Sequence, residues 1–384
     1  MIKTEQWEEL ILLGVNLSSY QQLDTLLYTV AQESIKVIGC EGATIYIKKN
    51  NHLEFMVAQN KVLEKKIPNL KHNFQKHAIP FSNESIAGYV ALTKTPLNIP
   101  DVNLLEPTTP YRFYDNFDKL YQYKTTSTLT LPMLDNQKEL IGILQLINRY
   151  DSQDKIIAFT QEDIFIAQYL ASIAAMSIKN TMLNEVLKSS YYETVERLAL
   201  ASEFRDLETS NHIKRMSEYS YVLWKKCGGD LSEAEDLRYA AQMHDIGKVG
   251  IPDRILQKPG PLTPEERKIM EKHTTIGGKI LEGSSSNLLQ LSRIVALTHH
   301  EKWNGTGYPL GLKKEEIPLA GRIVALADVF DALTSKRVYK PAFATEKVFA
   351  IIKEEKGKHF DPHIVEVFLD SSKEILEIHD RYKE

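Results

Sequence analysis

From Gln21 to Ile38, apolar residues recur at Leu23, Leu26, Leu27, Val30, Ile35 and Ile38, the rhythm of a helix with one buried face, and Gly39 ends it. Two strand-like runs, Ala43 to Ile47 and Leu53 to Ala58, flank the turn-forming pair Asn50-Asn51, which predicts a hairpin. Between Ile79 and Val102 the apolar pieces are short and are cut by Pro80, Gly88, Pro96 and Pro100, so loops and short helices are expected there. Two further strands are expected at Thr126 to Met133 and Leu140 to Ile147, joined by the turn 134–137. The pattern predicts an α+β N-terminal half with an antiparallel sheet.

Neither glycine nor proline occurs between Ile143 and Cys227. Thr160 with Asp163 three residues on reads as a capping box, and a continuous helix is expected from Ile164 to about Ser190. Its apolar residues Ile166, Leu170, Ile173, Ile178, Met182 and Val186 suit packing against a second copy in a parallel homodimer, or against the chain's own domains. From Tyr192 onward the pattern is all-α: Glu193 to Met216, Ser217 to Lys226, Ser232 to His244, Thr263 to Leu281, Leu288 to His299, Ile317 to Ser335, Thr345 to Glu354 and Pro362 to Asp370. Gly228-Gly229, Pro252, Pro259-Gly260-Pro261 and the 283–286 stretch punctuate it, and no strand signal is present. The expected organisation is a domain over 1–162, a connecting helix over 163–190 and a helical domain over 191–384.

A length of 384 residues is too great for one ordinary core and suits two domains. A net charge of −4 provides no general basic field for a nucleic-acid polymer, so small ligands are favoured, with any phosphate held by local cations or metals. Two cysteines, Cys40 and Cys227, argue against a disulfide framework and for a reducing, cytoplasmic setting. Acidic Glu5, Glu8 and Glu9 stand where an export signal needs basic residues, and the apolar run Ile164 to Ile178, interrupted by Gln168, Ser172 and Ser177, is too short for a membrane span.

Five of the eleven histidines, His212, His244, His273, His299 and His300, fall between Glu208 and Asp328 beside carboxylates. Glu208 and His212, four apart, share a helical face and can bind a common ion. His244-Asp245 and His299-His300 are adjacent pairs; neighbours on a helix point about 100° apart, which suits two ions side by side. Asp328 sits inside an apolar helical run, where a buried carboxylate is costly unless a cation accompanies it. Imidazole with carboxylate suits iron, manganese or zinc, and the lack of cysteine ligands argues against a structural zinc site. Two or three such ions, bridged by a carboxylate and a hydroxide, are equipped to hydrolyse a phosphodiester, with Lys248, one helical turn past His244, as a further cation. A single helical histidine is more often structural than a ligand; the case rests on the set. His359 and His363 are also four apart, but Asp361-Pro362 starts a helix between them, so they are left out with His52, His72, His77 and His379.

Two resemblances follow. Ser85-Ile86-Ala87-Gly88-Tyr89-Val90-Ala91, Thr95-Pro96-Leu97-Asn98-Ile99-Pro100-Asp101-Val102 and the run from Leu140 to Arg149 resemble a GAF domain. Asn148-Arg149, Phe159 and Asp163 are similar to the Asn-Lys, Phe and Asp pattern of GAF domains in mammalian cyclic-nucleotide phosphodiesterases, which implies a small-molecule sensor or a dimerising module. The segment from about Tyr191 onward, with His244-Asp245-Ile246-Gly247-Lys248-Val249-Gly250-Ile251-Pro252, then His299-His300-Glu301 and Gly307-Tyr308-Pro309, resembles an HD-GYP domain of the HD metal-dependent phosphohydrolases. That resemblance implies hydrolysis of cyclic di-GMP to pGpG or GMP. It implies metal ligation by His212, His244, Asp245, His273, His299, His300 and Asp328, with Glu208 as the extra ligand of members holding three ions, iron preferred and manganese the alternative. Asp245 and Lys248 are the implied catalytic residues, and Lys248, Tyr308, Arg337 and Lys340 the implied substrate contacts. A non-catalytic cyclic-di-GMP receptor or protein-interaction module is the alternative. A nucleotide phosphatase of the wider HD group fits less well, because the run Asn304 to Pro309 is foreign to it.

Overall fold

The computed structural model describes residues 4–20, 22–66, 78–205, 210–335 and 342–383. The chain divides into two compact units, Met1–Leu187 and Lys188–Glu384. Among the described residues no helix is long and apolar enough to cross a membrane.

In the first unit α1 (Thr4–Ser18) and α2 (Leu23–Ile38) precede β1 (Cys40–Lys49) and β2 (His52–Asn60), the expected hairpin. After the short α3 (Lys61–Lys66) come β3 (Ala78–Pro80), α4 (Ile86–Thr93), β4 (Leu97–Ile99), α5 (Asn116–Tyr121), β5 (Thr128–Leu134), β6 (Leu140–Tyr150) and β7 (Ile156–Ile157). The antiparallel sheet has the order β3-β2-β1-β6-β5-β4, with β7 against β6. One face is covered by α1, α2 and the beginning of α6 (Gln161–Glu203), through Leu17, Leu26, Val30, Ile45, Leu144, Leu170 and Ile178. The other is covered by α4, through Ala87 and Val90 against Leu53, Leu140 and Ile143.

The strands β3 and β4 stand where only loops and short helices were expected. Leu97–Ile99 lies between Pro96 and Pro100, which lack backbone donors, and a proline-flanked segment can pair only at a sheet edge, as β4 does with β5. Asn148, in the left-handed region at φ 56°, donates to Glu41 Oε2 (2.8 Å) and accepts from the Thr126 amide (2.7 Å). Arg149 Nε donates to Asp163 Oδ1 (3.1 Å), and Asp163 closes the capping box with Thr160 that opens α6. Asn148, Arg149 and Asp163 thus lace β6 to the start of the long helix.

That helix runs for 43 residues and absorbs the first part of the helix expected over 193–216. With neither glycine nor proline to break it, nothing local stops it near Ser190. Of its apolar stripe, Ile166, Leu170 and Ile178 are buried in the first unit's own core, with Ile173 and Met182 packed against that core, whereas Val186 is exposed.

In the second unit α7 (Ser210–Lys226) runs unbroken past the expected start at Ser217. It is followed by α8 (Leu231–Ala240), α9 (Asp253–Leu256), α10 (Pro264–Met270), α11 (His273–Ile280), α12 (Asn287–Thr298), α13 (Leu319–Thr334), α14 (Thr345–Glu354), α15 (Pro362–Asp370) and α16 (Ser372–Arg381). Tyr219, Val295, Leu326, Phe330 and Phe368 lie at the centre of its core. The helix expected over 232–244 ends at Ala240 and tightens into a 3-10 turn, Ala241–Met243. The one expected over 263–281 is two helices, broken at Glu271-Lys272.

Candidate metal centre

Four of the five histidines are aimed by their own backbone or a buried partner. The 3-10 turn after α8 lets His244 Nδ1 bond the Ala241 carbonyl (3.0 Å). The break between α10 and α11 lets His273 Nδ1 bond the Met270 carbonyl (2.7 Å). At the end of α12, His299 Nδ1 bonds the Val295 carbonyl (3.0 Å). On α7, His212 Nδ1 meets Asp331 Oδ2 at 2.8 Å. Carbonyl and carboxylate oxygens only accept, so Nδ1 is protonated in all four rings and Nε2 is turned toward the centre, the orientation in which an imidazole ligates metal once Nε2 carries no proton.

These Nε2 atoms converge. His273 Nε2 lies 3.3 Å from His299 Nε2 and 3.2 Å from Asp245 Oδ1. His299 Nε2 lies 3.7 Å from the same Oδ1, while Asp245 Oδ2 is 3.0 Å from His244 Nε2 and 2.7 Å from Lys248 Nζ. On α13, Asp328 Oδ1 is 3.9 Å from His212 Nε2. Three overlapping sets, each with ligand atoms within 4.8 Å of one another, result: Asp245, His273, His299 and His300; His212, His244 and Asp328; Glu203, His244 and Asp245. Asp245 belongs to the first and third sets and His244 to the second and third, so the three form one continuous centre.

Two glycines permit the convergence. A Cβ on Gly247 would stand 1.8 Å from the His273 carbonyl oxygen, so the turn Ile246–Gly250 can pack on α11, and Asp245 can reach His273, only with glycine there. A Cβ on Gly307 would stand 2.4 Å from the Lys302 amide nitrogen, so the loop folds back on His300–Lys302 and lays the Tyr308 ring against His300, centroids 4.8 Å apart.

The centre fits divalent metal. His244 Nε2 and Asp245 Oδ1 are buried without a hydrogen-bond partner, a costly state that a bound ion would relieve. Burial opposes a charged ring at His244, but the Asp245 carboxylate alongside outweighs it and lifts that histidine to about 10. Burial would raise Asp245, yet Lys248 and His244 hold it well below the carboxylate range. Burial pushes His273 down to about 4, and burial with the His299 ring alongside holds His300 well below its ordinary value, so both are neutral donors at neutral pH.

Glu208, Arg337 and Lys340, and His72 and His77 among the histidines left out, lie outside the described residues. None of His52, His359, His363 and His379 enters a ligand set among the described residues. His359, stacked on Phe360 and pushed down to about 4 by burial and by Lys302, also feels the charge of Asp328.

Four functional residues, Asp331 with its partner Arg215, Glu301 and Glu203, are not among those expected from sequence. Asp331, fully buried, accepts from His212 and from Arg215 Nε (2.6 Å) and Nη2 (2.9 Å); its signal was a second carboxylate three residues after Asp328 in an apolar helix. Glu301 accepts from the amides of Leu310 (2.7 Å), Gly311 (3.1 Å) and Leu312 (3.1 Å), which holds the far side of the Tyr308 loop. Glu203, at the end of α6, enters the third ligand set with no local motif to announce it.

Residues 193–364 match an HD domain and residues 22–178 a GAF domain. The chain is 49% identical over 193 residues to a cyclic di-GMP phosphodiesterase of Thermotoga maritima, covering 50% of this chain and 52% of that one. It is 40% identical over 271 residues to a cyclic di-GMP phosphodiesterase of Vibrio cholerae (67% and 54% covered), and 42% identical over 203 residues to the 3'3'-cGAMP-specific phosphodiesterase 2 of that organism (53% and 39% covered). The chain thus spans about half the length, or less, of these curated relatives. An HD domain implies divalent-metal binding, in keeping with the convergent imidazoles and carboxylates, and this chain carries an HD domain with a GAF domain N-terminal to it.

Proposed function

We propose that the chain is a metal-dependent phosphodiesterase that hydrolyses cyclic di-GMP to pGpG, GMP or both. The observation that carries this reading is Asp245: one buried carboxylate reaches two groups of imidazoles, His244 through Oδ2 and His273 with His299 through Oδ1, so it would help to hold the ions bound by either group. His212, His244, Asp245, His273, His299, His300 and Asp328 are the proposed ligands, with Glu208 completing a third site, and iron is the preferred metal over manganese. Bound divalent ions supply Lewis acidity toward the phosphate and activate the attacking water.

The chain's own residues do the rest. Lys248, its Nζ on Asp245, adds a buried positive charge where charge grows on the phosphoryl oxygens. Tyr308, whose ring faces His300, offers a stacking surface for a guanine, and Arg337 and Lys340 supply cations for the second phosphate. The domain limits we assign are 1–162, 163–190 and 191–384. The GAF domain regulates the enzyme by binding a small molecule; a cleft of about 790 Å³ lined by Val102, Tyr111, Arg112, Asp118 and Tyr123 supports that role. A homodimer, formed in the cytoplasm, would cover the exposed Ile11, Leu12 and Val15 of α1 and Leu183, Val186 and Leu187 of α6.

Metal-loaded protein incubated with cyclic di-GMP should release pGpG or GMP, resolved by chromatography. A parallel incubation with 3'3'-cGAMP tests the preference carried by the name of one relative. Tight binding of cyclic di-GMP without product would overturn catalysis in favour of a receptor. Glu208→Ala should lower the metal count per chain without unfolding the protein, and an unchanged count would leave a two-metal enzyme.

A further inference from the structure

The carboxylate of Glu203 ends the long helix α6 inside the second unit, and it is 3% exposed. Its neighbours hold that end of the helix to the segment bearing His244, Asp245 and Lys248. Ser202 Oγ lies 3.4 Å from the carbonyls of Asp245 and Ile246, and the Arg205 guanidinium donates to the carbonyls of Val249 (2.6 Å) and Ile251 (3.2 Å). So anchored, a Glu203 oxygen comes within 4.8 Å of ligand atoms of both His244 and Asp245.

Glu203 and Asp245 both approach Lys248. Lys248 Nζ sits 2.7 Å from Asp245 and 3.9 Å from Glu203. Glu203 and Asp245 thus share the Lys248 ammonium, while Asp328 faces His212 (3.9 Å). At the same spot two nine-tenths-buried atoms, His244 Nε2 and Asp245 Oδ1, make no hydrogen bond. A carboxylate gathered beside buried ligand atoms that lack hydrogen-bond partners is a setting for a cation.

We propose that Glu203 is a metal ligand, closing the junction between the two imidazole groups at His244 and Asp245 and tying the end of α6 to the bound ions. The proposal rests on the metal-centre reading above and adds to it a ligand from a different helix.

The test uses the full chain, stripped and then titrated with Mn(II), comparing wild type with Glu203→Gln. Loss of a direct ligand should weaken Mn(II) binding at least about tenfold, because even outer-shell partners of metal ligands are worth 10–100-fold, or remove one ion per chain by elemental analysis. The metal-free Glu203→Gln protein should melt at or above the wild-type temperature, since a like charge leaves a crowded acidic cluster. Unchanged Mn(II) affinity and count overturn the proposal, as does a lowered metal-free melting temperature with metal binding intact, the pattern of a purely structural ion pair. Should Glu203→Gln fail to fold, Glu203→Asp, which keeps the charge and shortens the reach, decides the matter: weaker Mn(II) binding supports ligation and wild-type binding refutes it. If wild type itself takes up no Mn(II) or Fe(II), the metal-centre reading fails first, and the two failures are distinguishable.

Discussion

Asp331→Asn should damage stability and metal affinity together, because Asp331 serves His212 and Arg215 at once. Its carboxylate has no exposure and accepts from His212 Nδ1 (2.8 Å), Arg215 Nε (2.6 Å) and Nη2 (2.9 Å), and Ser335 Oγ (3.2 Å). An asparagine amide keeps one oxygen and turns its NH₂ on either the guanidinium or the imidazole, donor against donor. Breaking a buried ion pair by removing one partner costs about 3–5 kcal/mol. Arg215 retains bonds to the Tyr382 carbonyl (2.9 Å) and Ser335 Oγ (2.7 Å), which argues for the low end, about 3 kcal/mol. A His212 ring that loses its Nδ1 acceptor no longer presents Nε2 in a fixed direction, so metal affinity should fall about 10–100-fold.

Burial would raise Asp331, but the bonds from His212 and Arg215 outweigh it and hold its carboxyl below the ordinary value. A depressed folded value means that the stabilisation is complete above about pH 4, the unfolded carboxyl range, and is lost as pH falls through the lower folded value. Denaturant unfolding of the metal-free protein, followed by tryptophan fluorescence at several pH values, measures both terms. The variant should lack the acid-labile part of the wild-type stability. A loss under about 1 kcal/mol with unchanged metal affinity would refute the reasoning, since it would mean that the pair contributes no more than a surface contact.

Metal binding should release about one proton per chain near neutral pH: His244, lifted to about 10 in the metal-free protein, must surrender its proton to ligate. Calorimetry in buffers of different ionisation enthalpy reads the release, and affinity should rise about tenfold per pH unit below that value; zero release would show that His244 is neutral beforehand. Glu301→Gln should raise KM for the dinucleotide with the metal count unchanged, because an amide cannot hold the three amides of Leu310, Gly311 and Leu312 as a carboxylate does; steady-state kinetics beside elemental analysis checks it. Gly247→Ala should lower the melting temperature and the metal content together, by at least about 1–3 kcal/mol of stability, since its Cβ cannot share space with the His273 carbonyl; a wild-type melting curve would contradict the close-approach argument.

Much of the fold was legible because it is written locally. The β1–β2 hairpin, the strands near 128–134 and 140–150 and the helices at 345–354 and 362–370 follow from periodicity and turn residues within a few positions of each element. What escaped depends on partners distant in sequence. Leu97–Ile99 is a strand only because β5 supplies an edge, and α6 continues to Glu203, where Ser202 and Arg205 are fastened to the segment 245–251. The break at Glu271-Lys272 has no glycine or proline to mark it; it comes from His273 bonding Met270 while Gly247 presses on the His273 carbonyl.

The candidate site divides along the same line. Residue types suited to metals, His244 and Asp245 among them, can be picked from sequence because few other roles concentrate imidazole and carboxylate so tightly. Residues that aim them cannot, because Asp331 and Arg215 are 116 positions apart and either alone reads as an ordinary helical charge. Lys248 shows the intermediate case: a cation one helical turn past His244 is expected, yet the backbone there is a 3-10 turn, and Nζ stands 2.7 Å from the Asp245 carboxylate. A charge in that position offsets Asp245 and Glu203 together, and so lets two acids share one buried site until cations arrive.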